Sequence, residues 1–344
     1  MDDINGVLLI NLGTPDSPGV SAVRRYLREF LSDPRVLDMP APMRWLLLNL
    51  IILPFRPKKS AAAYAKVWTE QGSPLLIHTQ ALTDAVALKL RDDLHVRCAM
   101  RYGNPSIRLA IEELCELGCN RLTIVPLYPQ YASSSTGSVL EEVYRICATR
   151  WNVPSLRVIP PFYNHPGFRD CLEQTMRENL GDPDRFDFFL MSFHGLPERH
   201  ITKSDLSQGK HCLRAESCCD RIETVNQNCY RAQSFASARD LARRLNIPEE
   251  KYSVAFQSRL GRTPWIKPYT DELLTNLPKR GVKRLAVLIP SFTADCLETL
   301  EEIQIRGRES FIEAGGEELV SIPCLNAHPA FVSFITKLVQ SELE

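Results

Sequence analysis

Phe186-Asp-Phe-Phe-Leu-Met-Ser-Phe-His-Gly-Leu-Pro197 is the stretch whose reading decides the fold. Up to Phe193 it is almost wholly apolar and rich in aromatic side chains that suit a pleated strand, and Gly195 and Pro197 stop it. A strand apolar on both faces belongs in a parallel sheet covered by helices on either side. In open sheets of that kind ligands bind in the crevice beyond the carboxyl ends of the strands, so His194 is expected at a strand tip facing a cleft. An imidazole there can be a metal ligand, a proton acceptor near neutral pH or a structural hydrogen-bonding group; its ordinary pKa of about 6.5 allows all three. His200, where the chain leaves the loop, is read as solvated.

Working outward, seven further runs of the same character alternate with helical patterns. Gly6–Leu12, Val96–Arg101, Leu122–Leu127 and Leu156–Pro160 form a first set of strands, and Phe188–Phe193, Tyr252–Gln257, Arg284–Ile289 and Leu319–Pro323 a second. The two sets repeat one another in order. Leu9-Ile-Asn-Leu-Gly-Thr-Pro15 parallels Met191-Ser-Phe-His-Gly-Leu-Pro197, and Arg121-Leu-Thr-Ile-Val-Pro126 parallels Arg284-Leu-Ala-Val-Leu-Ile289, each followed by a Ser/Thr-bearing loop and a helix with a Leu-Glu pattern. The expected fold is α/β, with two similar Rossmann-like halves, each a four-stranded parallel sheet flanked by helices. The first half is assigned to residues 1–162 and the second to 163–326, with a cysteine-bearing insertion near 203–232. A last helix, 327–344, is expected to pack back on the first half.

The 344 residues suffice for two domains with their own cores. Lys plus Arg equals Asp plus Glu at 41 each, which disfavours nucleic acid as a partner. The acidic start Met1-Asp-Asp-Ile argues against a secretory leader and for a cytoplasmic protein. Trp45–Phe55 is the most apolar segment, well short of the ~20 residues of a spanning helix but suited to lying on a membrane surface. Neither Gly-x-Gly-x-x-Gly nor a P-loop is present, so no nucleotide cofactor is expected.

Four local features carry chemistry. Asp295, Glu298 and Glu302 fall on one face of an α-helix; stacked carboxylates repel, so such a row wants a cation, a proton path or solvent. Asp295-x-x-Glu298 also reads as a capping box, as does Ser138-x-x-Glu141 in the first half. The hydroxyl-rich loop Tyr131–Ser138 before a helix is a place to receive anions. Arg56, Lys58 and Lys59 follow the apolar run at once, which suits an amphiphile with carboxylates or a core helix with a solvated basic end. Finally, four of the eleven cysteines, Cys212, Cys218, Cys219 and Cys229, crowd a polar, loop-like segment. Their spacing matches neither paired zinc motifs nor common ferredoxin runs, leaving an iron–sulfur cluster, zinc or free thiols open.

Taken together, Leu9–Pro15, Leu127–Gly137, Ser192–Pro197 and Phe256–Trp265, followed by the carboxylate helix, resemble the ferrochelatase family over nearly the whole chain. The resemblance implies a chelatase-like fold that holds a porphyrin and inserts Fe²⁺ into protoporphyrin IX to give haem. It implies His194 as the base and an iron contact, Glu298 as the opposed acid, and Asp295 and Glu302 as a proton or metal path. It also implies porphyrin contacts at Leu12, Arg56, Lys59, Arg101, Tyr128, Tyr131 and Trp265. Asn104 stands where some relatives have histidine. Some family members hold a [2Fe–2S] cluster in an internal segment, which implies Cys212, Cys218, Cys219 and Cys229 as its ligands here. Insertion of cobalt or nickel, a different tetrapyrrole such as coproporphyrin, and a haem or porphyrin carrier are the alternative readings.

Overall fold

The structure, a computed structural model, describes residues 4–91, 93–261 and 263–343. The chain divides into two compact units. One consists of the chain up to Tyr128 with Ser133–Pro161 and the segment from Asn326; the other consists of Pro129–Ala132 and Phe162–Leu325.

The first unit is built on β1 (Asn5–Thr14), β2 (Leu94–Gly103), β3 (Arg121–Pro126) and β4 (Ser155–Val158), in the order β2-β1-β3-β4. The second has β5 (Phe188–His194), β6 (Tyr252–Gln257), β7 (Arg284–Leu288) and β8 (Glu318–Ser321), in the order β6-β5-β7-β8. All six strand pairings are parallel. The two sheets therefore have one topology, in which the first strand of each set sits inside with the second on one side and the third and fourth on the other. That is the repeat the sequence shows, expressed as strand order.

Burial explains why the strand signals are so apolar. Val7, Leu8, Leu9 and Ile10 of β1, and Leu190, Met191 and Phe193 of β5, are fully buried. In the first unit Leu8, Ile10, Leu122 and Ile124 pack with Ile111, Leu114, Val139 and Val143 from helices Ile107–Glu116 and Ser138–Ala148. In the second, Leu190, Leu285 and Val287 pack with Ile303 and Phe311. Burying Ile303 contributes about 2 kcal/mol and fixes the helix that carries Glu298 against the sheet.

Among the described residues, two segments read as helix and one read as a hydroxyl-rich loop take a wider turn than the α pattern. Leu47–Ile52, Ser133–Gly137 and Glu298–Gly307 are π-helical. At the first, Pro54 opens the next α segment with no N–H to return to the preceding turn, so the ladder changes register where a bond is missing. The last helix, Pro329–Leu343, buries Phe331, Val332, Ile335 and Val339 within the first unit, and Lys89 Nζ donates to Ser333 Oγ at 2.9 Å.

Gly13 near the end of β1 has φ +119°, and a Cβ there would lie 1.8 Å from the Tyr102 carbonyl oxygen of β2. Both conformation and space demand glycine. Gly13→Ala should lower the unfolding free energy by more than about 2 kcal/mol in urea titration; an unchanged midpoint would contradict this packing.

Candidate functional site

His194 is the last residue of β5 and is half-buried. Its Nδ1 lies 2.6 Å from the Gly195 carbonyl oxygen. A carbonyl can only accept, so Nδ1 carries a proton, and the neutral tautomer compatible with this contact has its lone pair on Nε2. The ring stands 6.3 Å from that of Phe292, and the His194 backbone N–H donates to Ser291 Oγ at 3.4 Å. The buried Tyr230 hydroxyl bonds Ser291, Ser234 and the His194 backbone, and burial, against those bonds, raises its phenol well above the ordinary range. Tyr230 thus supports the strand tip as a proton-bearing group. Sequence reasoning missed it because it lies beyond the cysteine segment, on the helix Tyr230–Arg244.

Glu298 opens the π-helical segment and is half-buried, with the Cys296 thiol hydrogen-bonded to its carboxylate. Four residues on, the Glu302 carboxylate accepts from the Ser258 N–H at 2.8 Å and from the Ser258 hydroxyl, with Arg306 at 3.9 Å. Burial raises the Glu302 carboxyl above its ordinary value, the Ser258 bonds and Arg306 oppose this, and the Glu298 charge adds to it. Asp295 lies before the helix and is buried. Its carboxylate accepts from the Cys324 N–H, at 3.3 Å to each oxygen, and from the Thr299 hydroxyl at 2.9 Å. The N-cap of the helical segment is Leu297, with no side-chain cap bond, and Asp295 ties the helix start to the loop after β8.

In the first unit the helix after Gly137 likewise has no side-chain cap. Ser138 Oγ donates to Asp33, which also accepts from the Tyr102 hydroxyl at 2.8 Å and from Arg101 Nη2 at 2.8 Å, while Arg101 Nε reaches Ser138 Oγ at 2.7 Å. Glu141 instead pairs with Arg35, which also donates to Ser133 Oγ at 2.9 Å. Burial alone would raise the Asp33 carboxyl. Bonds from Ser138, the Arg35 N–H and Tyr102, together with the Arg101 charge, hold it below its ordinary value.

Of the other residues singled out, Leu12 and Arg56 are half-buried, Lys59 is exposed, and Tyr128 is half-buried with its hydroxyl enclosed and unbonded. These belong to the first unit, as does Arg101. In the second unit, Tyr131 is half-buried, with its backbone N–H donating to Gln233 Oε1 at 2.7 Å. Trp265 is buried, donates from Nε1 to the Leu260 carbonyl at 2.9 Å, and packs over Gly195, where a Cβ would meet its ring at 3.2 Å.

With this geometry in view, the comparisons with known proteins decide the family. The ferrochelatase family model matches residues 4–343. The chain belongs to the ferrochelatase family. It is 50% identical over 339 residues to a ferrochelatase of Coxiella burnetii (strain Dugway 5J108-111), covering 98% of this chain and 94% of the relative. It is 49% identical over 338 residues to the ferrochelatase of Azotobacter vinelandii, covering 98% of each. With the ferrochelatase of Legionella pneumophila (strain Paris) it shares 46% identity over 338 residues, covering 98% of this chain and 99% of the relative. Among solved structures, the sirohydrochlorin chelatase SirB from Bacillus subtilis subspecies spizizenii in complex with cobalt has a TM-score of 0.53 at 11% identity, covering 98% of this chain and 94% of that one. SirB from Bacillus subtilis with Fe³⁺ has a TM-score of 0.51 at 12% identity, with the same coverage. At those identities the likeness is of fold.

The cysteine segment of this member of the family corrects one expectation. Among the described residues no group of three or more His, Cys, Asp or Glu side chains could hold a metal ion, so the [2Fe–2S] cluster assigned to Cys212, Cys218, Cys219 and Cys229 is not supported. All four are buried free thiols with protein partners. Cys218 Sγ accepts from the Leu213 N–H at 3.4 Å and lies 3.8 Å from Cys219 Sγ; Cys219 accepts from Arg231 Nη1 at 3.0 Å; Cys229 accepts from the Ala232 N–H at 3.5 Å and caps its helix. Metal ligation needs thiolates. Burial pushes Cys212 up to about 11 and raises Cys218, while the Cys229 bond followed by burial raises Cys219. The polar loop hides its thiols instead of presenting them.

Asp205 fastens this segment. Its buried carboxylate accepts from the Ser207 N–H and hydroxyl at 2.8 and 2.6 Å and from the His211 and Cys212 N–H groups at 2.9 and 2.8 Å. Burial would raise its pKa, but these bonds hold it well below the carboxylate range.

Two outcomes are expected. Arg101→Met should lower unfolding free energy by about 3 kcal/mol, because it strands a buried Asp33 charge. Asp33 has a depressed pKa, so its contribution is full above its unfolded value of about 3.9 and fades as pH falls through the folded value; the gap between variant and parent in denaturant titrations should narrow in acid. Asp205→Ala should cost about 2 kcal/mol locally and speed alkylation of Cys212 by iodoacetamide; an unaltered alkylation rate would show that Asp205 does not hold the loop.

Proposed function

We propose that the chain inserts ferrous iron into protoporphyrin IX, forming protohaem in the last step of haem synthesis. The observation that carries this reading is the imidazole of His194, pinned through Nδ1 at a strand tip so that Nε2 holds the lone pair of the neutral ring, in a member of the ferrochelatase family. The porphyrin must lose two pyrrole protons as the metal enters. His194 Nε2, with its one lone pair, accepts them one at a time and must pass the first on before it takes the second. Glu298 offers a carboxylate to the incoming Fe²⁺ substrate, replacing some of its water. Glu302, whose carboxyl is raised by burial, takes up protons more readily than an exposed glutamate and carries them off. Asp295, held by Cys324 and Thr299, fixes the approach of this helix.

In the first unit Leu12 and Tyr128 offer aliphatic and aromatic surface of the kind a macrocycle needs, with Arg56 and Lys59 as partners for propionates, and in the second unit Tyr131 and Trp265 offer surface of the same kind. Arg101, committed to Asp33 and Ser138, serves by bracing the hydroxyl-rich loop. We assign the protein to the cytoplasm. Trp45, Leu50, Ile51 and Phe55 are exposed beside the exposed Lys58 and Lys59. An apolar strip with a basic flank suits peripheral contact with an anionic membrane surface; no helix among the described residues is long and apolar enough to cross one.

Anaerobic mixing of the protein with Fe²⁺ and protoporphyrin IX should produce the haem absorption bands, and their absence would sink the reading. Competition with Co²⁺, Ni²⁺ and coproporphyrin tests the neighbouring specificities, and porphyrin binding without insertion would mark a carrier. His194→Ala should reduce kcat by at least about 100-fold while porphyrin affinity stays within a few-fold; an active variant would refute the assignment of the base.

A further inference from the structure

We infer that Gln257 is a positioning residue for metal insertion, a buried clamp that sets the strand tip bearing His194 against the start of the helix bearing Glu298. The inference rests on the roles given above to those two residues.

Gln257 ends β6, stands in register with His194 of β5, and is 2% exposed, so it is shielded from solvent. Three of its polar atoms are spent on the two candidate residues' immediate surroundings. Its backbone carbonyl accepts the Gly195 N–H at 2.8 Å. Its side-chain Oε1 accepts the Ser192 hydroxyl at 2.7 Å, and its Nε2 donates to the Glu298 backbone carbonyl at 3.0 Å. The orientation of the amide is fixed by chemistry: the Glu298 carbonyl can only accept, so the NH₂ must face it. Ser192 also meets the Thr270 hydroxyl at 2.9 Å, which holds the far end of the clamp.

Two further features show how closely this junction is built. Gly195 passes so near that a Cβ would lie 2.6 Å from the Gln257 carbonyl oxygen, so the chain after His194 is seated directly on β6. The next residue, Ser258, has φ +67°, a conformation that L-residues with a side chain adopt at a cost. It is kept there while both of its donors engage Glu302. Consecutive residues at the end of one strand therefore hold both Glu298 and Glu302, and the first also holds the strand of His194. A buried amide satisfied at both ends resists rotation, because turning it would leave a donor and an acceptor unpaired. Removing the amide loosens the imidazole relative to the carboxylate and leaves the porphyrin contacts in place.

The test is steady-state iron insertion by the full chain under anaerobic conditions. Gln257→Met keeps side-chain length and removes both side-chain bonds. It should lower kcat about 10- to 100-fold, the scale set by ångström misplacement, with KM for protoporphyrin and its affinity by fluorescence quenching within about twofold. Gln257→Glu, which sets an oxygen against the Glu298 carbonyl, should not restore the rate. If Gln257 only filled space, Gln257→Met would be fully active, and that result overturns the inference, as would a loss confined to KM. Should Gln257→Met fail to fold, Ser192→Ala carries the test, since it removes one end of the clamp: a lower kcat at unchanged KM supports the inference and an unchanged kcat overturns it. Where both variants fold, combining them should cost less than the product of their separate effects; independent effects argue against a clamp. An inactive parent protein would instead remove the reading on which the inference rests.

Discussion

A parallel sheet covered on both faces has nowhere to put polar chemistry except at its strand ends. Residues along the middle of β1 or β5 are apolar or, like Ser192, have their polar atoms bonded inside the protein, because neither face meets water, and the first polar side chain free of that constraint comes where the strand stops. His194 sits at that limit. Its ring is held by the carbonyl of the next residue, and that residue by the neighbouring strand, so the orientation of the imidazole is set by backbone geometry. The carboxylates come from the helix after β7, whose Ile303 is buried in the same core. Strand tip and helix are thus two outcroppings of one packed body.

This logic explains what could be read from the sequence. The eight strands, the two four-stranded sheets and their repeat were legible because double burial writes itself as unbroken apolar runs and because two halves carry the same signals in the same order. His194 was legible for the same reason, as the polar residue that ends a run. Glu298 stood out less clearly, and the resemblance to ferrochelatases supplied what the local pattern lacked.

What could not be read depended on distance along the chain or on burial. Gln257 is indistinguishable from any strand-end glutamine until its partners are known, and those lie 65 residues before it and 41 after it. Tyr230 was hidden in the same way, and so was the partnership of Ser138 with Asp33. A spacing of three residues records only that two groups can meet: the helix after Gly137 has no side-chain cap, and Ser138 bonds Asp33 from another element, while Asp295 reaches Thr299 on its own helix and Cys324 beyond β8. The widened π turn at Glu298–Gly307 left no trace, since over ten residues its apolar pattern overlaps that of an ordinary helix. The cysteines misled because polarity along a loop was taken for exposure; Asp205 and Arg231 bring enough hydrogen bonds to fold that loop inward over its own thiols.

The placement of that loop has a consequence for how such a protein can change over generations. It leaves the body after the helix Glu198–Ser204 and returns at Tyr230, and each end has a mooring outside the loop: Glu198 by its N–H to the Pro264 carbonyl, and Tyr230 by its hydroxyl beside His194. Lengthening a loop whose ends are already fixed costs only about 0.6 kcal/mol for each doubling. Descendants can therefore extend, trim or recompose the stretch between these moorings, losing or recruiting thiols as they do, while the histidine a few residues away holds its place.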